Sequence, residues 1–208
     1  MTDRGLDLYS ALEEKLGLKK GVPYTPDWSA APDFIELIVE HSLTEKPQTI
    51  VECSSGLTTL MLARCCKMNG SGHLYSLENG AEYAAKTRSY FERYELDEWV
   101  TVLDAPLEKM TIHGNEYLWY KSSDISNESI DMLVIDGPPG FMQKNARYPA
   151  LPVLFERLSD HCVIFLDDAA RDDEKELVHL WLNEHPEIEH EYIDTERGCV
   201  RLVINRKK

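Results

Sequence analysis

Residues 49–63 read TIVECSSGLTTLMLA, and the order of residue types within them decides the fold. Thr49 to Cys53 has the length and apolar character of a short buried strand, and Ser54-Ser55-Gly56 are all small. From Leu57 the apolar residues follow a helical pattern. Strand, tight turn and helix together make the first half of a βαβ unit. The chain continues in the same way, with HLYSLE (73–78) as a strand, AEYAAKTRSYFERYEL (81–96) as its helix, and Val100 to Leu103 as a third strand ending at Asp104.

The clearest strand is IDMLVIDGPPG (130–140), where five apolar positions between Ile130 and Ile135 suit a strand covered on both faces. Gly137-Pro138-Pro139-Gly140 ends it abruptly. The spacing predicts a helix over 149–158, a strand HCVIFLDD (161–168) ending in carboxylates, and a helix KELVHLWLNEH (175–185). Residues 188–206 read as two strands joined at Glu196-Arg197-Gly198, hence antiparallel. The expected fold is α/β: a Rossmann-like, mostly parallel seven-stranded sheet with helices on both faces and a C-terminal antiparallel hairpin.

Upstream lie a helix over 3–18, the breaker Lys20-Gly21-Val22-Pro23, an extended connector YTPDWSAA (24–31) and a helix over 31–43. Residues 1–45 are expected as a helical cap segment on a single domain, 1–208. The stretch 106–120 has no decisive pattern, and SSDISNES (122–129) reads as a polar loop.

A length of 208 residues suits one core, and 43% apolar with 28% charged residues suits a globular domain. The formal charge of −15 repels phosphate backbones, so nucleic acid and anionic membranes are disfavoured as partners. The tail Arg206-Lys207-Lys208 is too short to reverse that field. Cys53, Cys65, Cys66, Cys162 and Cys199 form no Cys-x-x-Cys framework, which suggests reduced thiols and a cytoplasmic setting. No charged segment leads into an apolar one, and no apolar run approaches membrane-spanning length, so neither secretion nor a span is expected.

In open α/β sheets ligands bind outside the carboxyl ends of the strands. Here those ends carry Glu52, Glu78, Asp104, Asp136 and the pair Asp167-Asp168. Small residues at Ser54 to Gly56 allow close backbone approach, and the helix that follows offers free N–H groups. Glu78 lies 22 residues beyond Gly56, where an acidic side chain accepts hydrogen bonds from ribose hydroxyls. Each feature also has a plain structural reading: an ordinary strand-to-helix turn, or a solvated cap for Glu78. The three-glycine dinucleotide fingerprint and the phosphate-cradling Lys-Ser/Thr loop are both missing, so the ligand has a ribose but little need for pyrophosphate room. S-adenosylmethionine fits that description.

These residues resemble the class I S-adenosylmethionine-dependent methyltransferases. Within them the chain is similar to the small O-methyltransferases of the catechol, caffeoyl-coenzyme A and macrolide-sugar type. TIVECSSGLTTLMLA matches their first motif, although Ser54 replaces its first glycine. LYSLE matches their ribose-binding strand, and Leu103-Asp104-Ala105 their adenine-flanking turn. The resemblance covers residues 30–205 and implies a donor site made by Glu52, Ser54, Gly56, Thr58, Glu78, Asn79, Asp104, Ala105 and Asp136. It also implies a site for Mg²⁺ or a similar divalent cation at Asp136, Asp167 and Asp168, and a small-molecule acceptor; a homodimer is compatible with it.

Such a cation prefers several oxygen ligands and lowers the pKa of an acceptor hydroxyl. Consecutive strand residues point opposite ways, so Asp167 and Asp168 reach one ion only if the strand has already ended. Asp136 as a loop cap and one of the Asp167-Asp168 pair as a helix cap stand as alternatives. The lysine that follows the strand-four aspartate in the catechol branch is replaced by Pro139. Asp136 and Lys144 are left as candidates for catalysis, with a solvated surface lysine as the plain reading of Lys144. Trp28, Tyr24, Phe141, Met142, Arg147 and Tyr148 are candidates for the acceptor side, with Arg147 alternatively a surface arginine. His113, His161 and His179 have no metal-ligand spacing. A metal-free methyltransferase and a non-catalytic nucleoside-binding or scaffold protein are the competing functions. Amino-group methylation is disfavoured because no aromatic follows the prolines, and nicotinamide chemistry because the glycines are missing.

Overall fold

The computed structural model describes residues 3–18, 22–122, 125 and 128–206. The breaker around Lys20-Gly21 and part of the 122–129 loop therefore lie outside the described residues. In chain order the elements are α1 (Asp3–Leu16), α2 (Pro32–Glu45), β1 (Thr49–Cys53), α3 (Leu57–Asn69), β2 (His73–Glu78), α4 (Ala81–Tyr94) and β3 (Val100–Asp104). Then follow β4 (Leu107–Ile112), β5 (Asn115–Tyr120), β6 (Ile130–Ile135), α5 (Ala150–Leu154), β7 (Leu158–Leu166), α6 (Asp172–Glu184), β8 (Glu189–Ile193) and β9 (Cys199–Asn205).

Seven strands form one sheet in the order β3-β2-β1-β6-β7-β9-β8. The first five are mutually parallel, and β9 runs antiparallel between β7 and β8. Strand order reverses between β1 and β6, which opens a crevice at their carboxyl ends. The expected sheet and terminal hairpin are both present.

Side-chain alternation explains how the sheet is covered. Ile50, Met132 and Val134 face a core built with α1, α2, α3 and α4. Val51, Cys53, Leu133 and Ile135 face a second core built with Trp119, Leu151, Leu177 and Trp181. All five residues of β1 are buried, as a central strand sandwiched by helices requires.

Several boundaries differ from expectation. The stretch 106–120 is a hairpin, β4 paired antiparallel with β5, and it stands apart from the main sheet. Its two-residue turn uses His113 at φ 49° and Gly114 at φ 82°, the left-handed pair that a tight hairpin needs. The expected helix over 149–158 shortens to α5 and one 3-10 turn, and β7 begins at Leu158. Leu158 pairs with Ile130, and a register shift then carries β7 to Val163 opposite Met132. Among the described residues, no helix is long and apolar enough to cross a membrane.

Candidate active site

The rim begins at the turn after β1. Ser54 takes φ 116° and Gly56 φ 149°, so a non-glycine residue holds a backbone shape that side chains disfavour. The turn is tied down by Ser54 N–H donating to the Leu77 carbonyl at 2.9 Å and Ser76 hydroxyl donating to the Ser54 carbonyl at 2.5 Å. Gly56 N–H donates to the Thr59 hydroxyl at 2.8 Å, which closes the start of α3.

Glu52 lies beneath this turn, fully buried. It accepts hydrogen bonds from the Thr58 hydroxyl and, at 2.6 Å, from the Thr59 hydroxyl. Burial pushes its pKa up to about 7 against the pull of those hydroxyls. Glu52 and Thr58 thus brace the turn from inside.

Glu78 ends β2, and Asp104 pairs with it in register at the end of β3. The Glu78 carboxylate is fixed by Gly80 N–H at 2.8 Å and the Ser55 hydroxyl at 2.7 Å, one bond per oxygen. Each oxygen keeps a further lone pair for a ligand hydroxyl. Asn79 is half-buried beside it. Asp104 is paired with Arg88 at 3.0 Å, and buried Ala105 donates its N–H to the Glu78 carbonyl at 2.7 Å.

Across the crevice, β6 and β7 deliver the acids. Strand β7 ends at Leu166, and Asp168 turns into the left-handed region at φ 58°, so both aspartates after the strand turn to one side. One oxygen from each of Asp136, Asp167 and Asp168 falls within 4.8 Å of the others, a grouping able to hold a metal ion.

Arg147 enters the same cluster and is only 3% exposed, which replaces the expectation of a surface arginine. The cause is long-range: the chain after Gly140 folds back under the carboxyl ends of β6 and β7. Its Nη2 donates to Asp136 Oδ1 at 3.2 Å, Asp168 Oδ2 at 2.8 Å and the Asp136 carbonyl at 2.7 Å, and Nη1 to the Asp167 carbonyl at 2.9 Å. Arg171 also reaches Asp168 Oδ2 at 2.8 Å, while Asp167 Oδ1 accepts the Asp168 N–H. Asp167 Oδ2 and Asp168 Oδ1 are buried without a partner among the described residues.

Burial, opposed by Arg147 and aided by the Asp168 charge, raises the Asp136 pKa to about 7. Burial and the neighbouring Asp136 and Asp168 also raise Asp167 well above the ordinary aspartate range. Burial works against the Arg147 charge, but Asp136, Asp168 and Glu174 more than offset it, and the guanidinium stays charged.

Lys144 lies apart from this arrangement. Its exposed ammonium pairs with Glu176 at 2.8 Å, and that partner raises its pKa. An ammonium held protonated in this way is a poor base. Trp28 and Phe141 stand 62% and 81% exposed, and their rings meet edge-on with centroids 6.4 Å apart.

Sequence reasoning passed over Tyr120. It ends β5, is 2% exposed, and lies so close to Gly137 that a Cβ there would overlap its hydroxyl. The same Cβ would meet the Ser54 Cβ at 3.1 Å and the Cys53 carbonyl at 3.2 Å. The aromatic run Tyr117-Leu118-Trp119-Tyr120 after a His-Gly turn was the available signal.

No curated protein matches the chain. Among solved structures it is similar to an SAH-bound methyltransferase of Podospora anserina, PaMTH1, at 14% identity and TM-score 0.65, over 100% of this chain and 89% of that one. It is also similar to an O-methyltransferase of Bacillus cereus in complex with SAH, at 16% identity and TM-score 0.64, over 96% of this chain and 91% of that one. A third similar structure is TomG of Streptomyces achromogenes, an O-methyltransferase of tomaymycin synthesis in complex with SAM, at 14% identity and TM-score 0.64, over 99% and 92% of the two chains. These likenesses establish the fold as that of class I methyltransferases. A family model described as a methyltransferase domain matches residues 51–169, more than half the chain, running from β1 past the aspartates that follow β7. On that match the chain belongs to the methyltransferase domain family.

Proposed function

We propose that this enzyme transfers a methyl group from S-adenosylmethionine to a hydroxyl oxygen of a small molecule, with a divalent cation at Asp136, Asp167 and Asp168. The observation that carries the reading is the division of oxygens in the acid cluster. One oxygen of each aspartate is engaged by the chain, and Asp167 Oδ2 and Asp168 Oδ1 are left buried and unpaired. Burying unpaired carboxylate oxygens is costly, and a hard cation with oxygen ligands would satisfy them. The residues present fit such an ion. Mg²⁺ or a similar cation would supply charge to an acceptor oxygen and lower its pKa.

The donor reading rests on the other half of the rim. Glu78 is held with free lone pairs where ribose hydroxyls would reach it. Ser54 to Gly56 bring backbone close to the ligand, while Glu52 and Thr58 hold that turn in shape. Asp104, Ala105 and Asn79 would flank the base. In the transfer, the acceptor oxygen bonds to the methyl carbon as the sulfur–carbon bond breaks, leaving a neutral thioether. The hydroxyl proton goes to a carboxylate of this rim, and Asp136 is the candidate to take it. Lys144 has no part in that step. Trp28 and Phe141 would form the apolar lip of the acceptor side.

A small acceptor suits a chain of net charge −15 better than a nucleic acid does. Five buried free cysteines suit a reducing compartment such as the cytoplasm. One observation favours a metal-free enzyme as the second reading: the Arg147 guanidinium already pairs with Asp136 and Asp168. Transfer of a radiolabelled methyl group to a panel of catechols, sugars and hydroxy acids, with Mg²⁺ and then a chelator, tests both. Activity lost on chelation and restored by Mg²⁺ is expected. Activity indifferent to chelator supports the second reading, and absence of both transfer and donor binding overturns the two together.

A further inference from the structure

Tyr120 arrives at the crevice from the β4–β5 hairpin, an element that stands apart from the main sheet. Its ring packs edge-on against Trp119, with centroids 5.0 Å apart and an interplanar angle of 74°. The hydroxyl then emerges between the carboxyl ends of β1 and β6, beside Gly137, Ser54 and the Cys53 carbonyl. Only glycine can occupy position 137 while that hydroxyl is there. The residue is 2% exposed, yet its hydroxyl is not one of the sealed polar atoms left without a partner, so it is not stranded in the core.

The location gives the hydroxyl a use, and this step rests on the donor reading above. With ribose at Glu78 and the acceptor at Asp136, the reacting sulfur must lie between β2 and β6, over the ends of β1. Tyr120 stands in that interval. Burial, with Cys53, Glu78 and Asp136 nearby, keeps its phenol firmly protonated. It therefore presents oxygen lone pairs and no negative charge. Lone pairs attract a cationic sulfonium and the polarised hydrogens of its methyl group. They gain much less from the neutral thioether that remains after transfer.

We propose that the Tyr120 hydroxyl faces the sulfonium of the methyl donor and makes the site prefer the charged donor over its neutral product. Tyr120 is thus a donor-binding residue that favours product release and holds the methyl group in line with the acceptor.

The test is calorimetric titration of S-adenosylmethionine and S-adenosylhomocysteine into wild-type protein and Tyr120→Phe. The ratio of the two dissociation constants is expected to shift about five- to tenfold against the charged donor in the variant, with the product affinity nearly unchanged. A ratio equal to wild type overturns the proposal, whether both affinities persist or both fall together, since a purely structural role moves them equally. If Tyr120→Phe does not fold, Tyr120→Met removes the hydroxyl with a flexible apolar side chain and is read in the same way. Failure of wild-type protein to bind either compound would overturn the donor reading itself, and the Tyr120 proposal with it. That outcome is distinct from an unchanged ratio.

Discussion

Ser54 sits at φ 116°, where the resembling motif has glycine, and the bonds from Leu77 and Ser76 hold it there. Ser54→Gly removes that strain and is expected to stabilise the protein by about 1 kcal/mol, read as a higher urea midpoint. Glu52 supplies a prediction about pH. Its folded pKa of about 7 lies above the 4.5 of an ordinary glutamate, so the folded state holds the proton more tightly. That contribution is complete below pH 4.5 and is lost as pH rises to about 7, because the unfolded chain ionises first. Glu52→Gln, which keeps the shape without the charge, should leave stability at pH 4 nearly unchanged. At pH 8 it should raise stability on the order of 2–3 kcal/mol, and denaturant titrations at the two pH values decide it. At this scale the sequence shows which side chains end strands, because a carboxylate after an apolar run is visible in one dimension. It does not show that Arg147 is buried among them, since that depends on where a loop returns. The left-handed turn at Asp168 is likewise invisible in residue type, yet it lets Asp167 and Asp168 serve one site.

The βα units are written locally: each apolar run ends in small residues or a carboxylate, and each helix follows at once. The stretch IDMLVI is buried on both faces and has few other options. The β4–β5 hairpin was not legible because no residue of β4 is fully buried, so its residues carry no strong alternation. Its support comes from elsewhere in the chain. Gln143 extends its amide to Leu118, accepting the N–H at 2.8 Å and donating to the carbonyl at 2.9 Å, as a neighbouring strand would. Tyr117 also stacks near Tyr148 with centroids 5.1 Å apart. Gln143→Ala should therefore accelerate amide hydrogen exchange at Leu118 by about tenfold while leaving β6 protected. Equal acceleration in both strands would mean that the hairpin is not an independently opening unit.

Across the whole molecule, two cores on opposite faces fix the sheet, and the sheet fixes a line of polar groups along one rim. Glu78, the turn at Ser54 to Gly56, Tyr120 and the aspartates at 136, 167 and 168 come from five different segments and converge at the strand reversal. If the roles divide along that rim, the donor half and the acid half can be separated by mutation. Asp168→Ala is expected to spare donor affinity and to reduce turnover at least tenfold, measured by calorimetry and labelled methyl transfer on the same preparation. Titration of S-adenosylmethionine into wild-type protein and into Glu78→Ala decides whether this rim holds the methyl donor. Measurable binding to wild type is expected, weakened at least tenfold in Glu78→Ala, with the fold unchanged by circular dichroism. Donor binding of equal strength in the two proteins would contradict that placement of the donor.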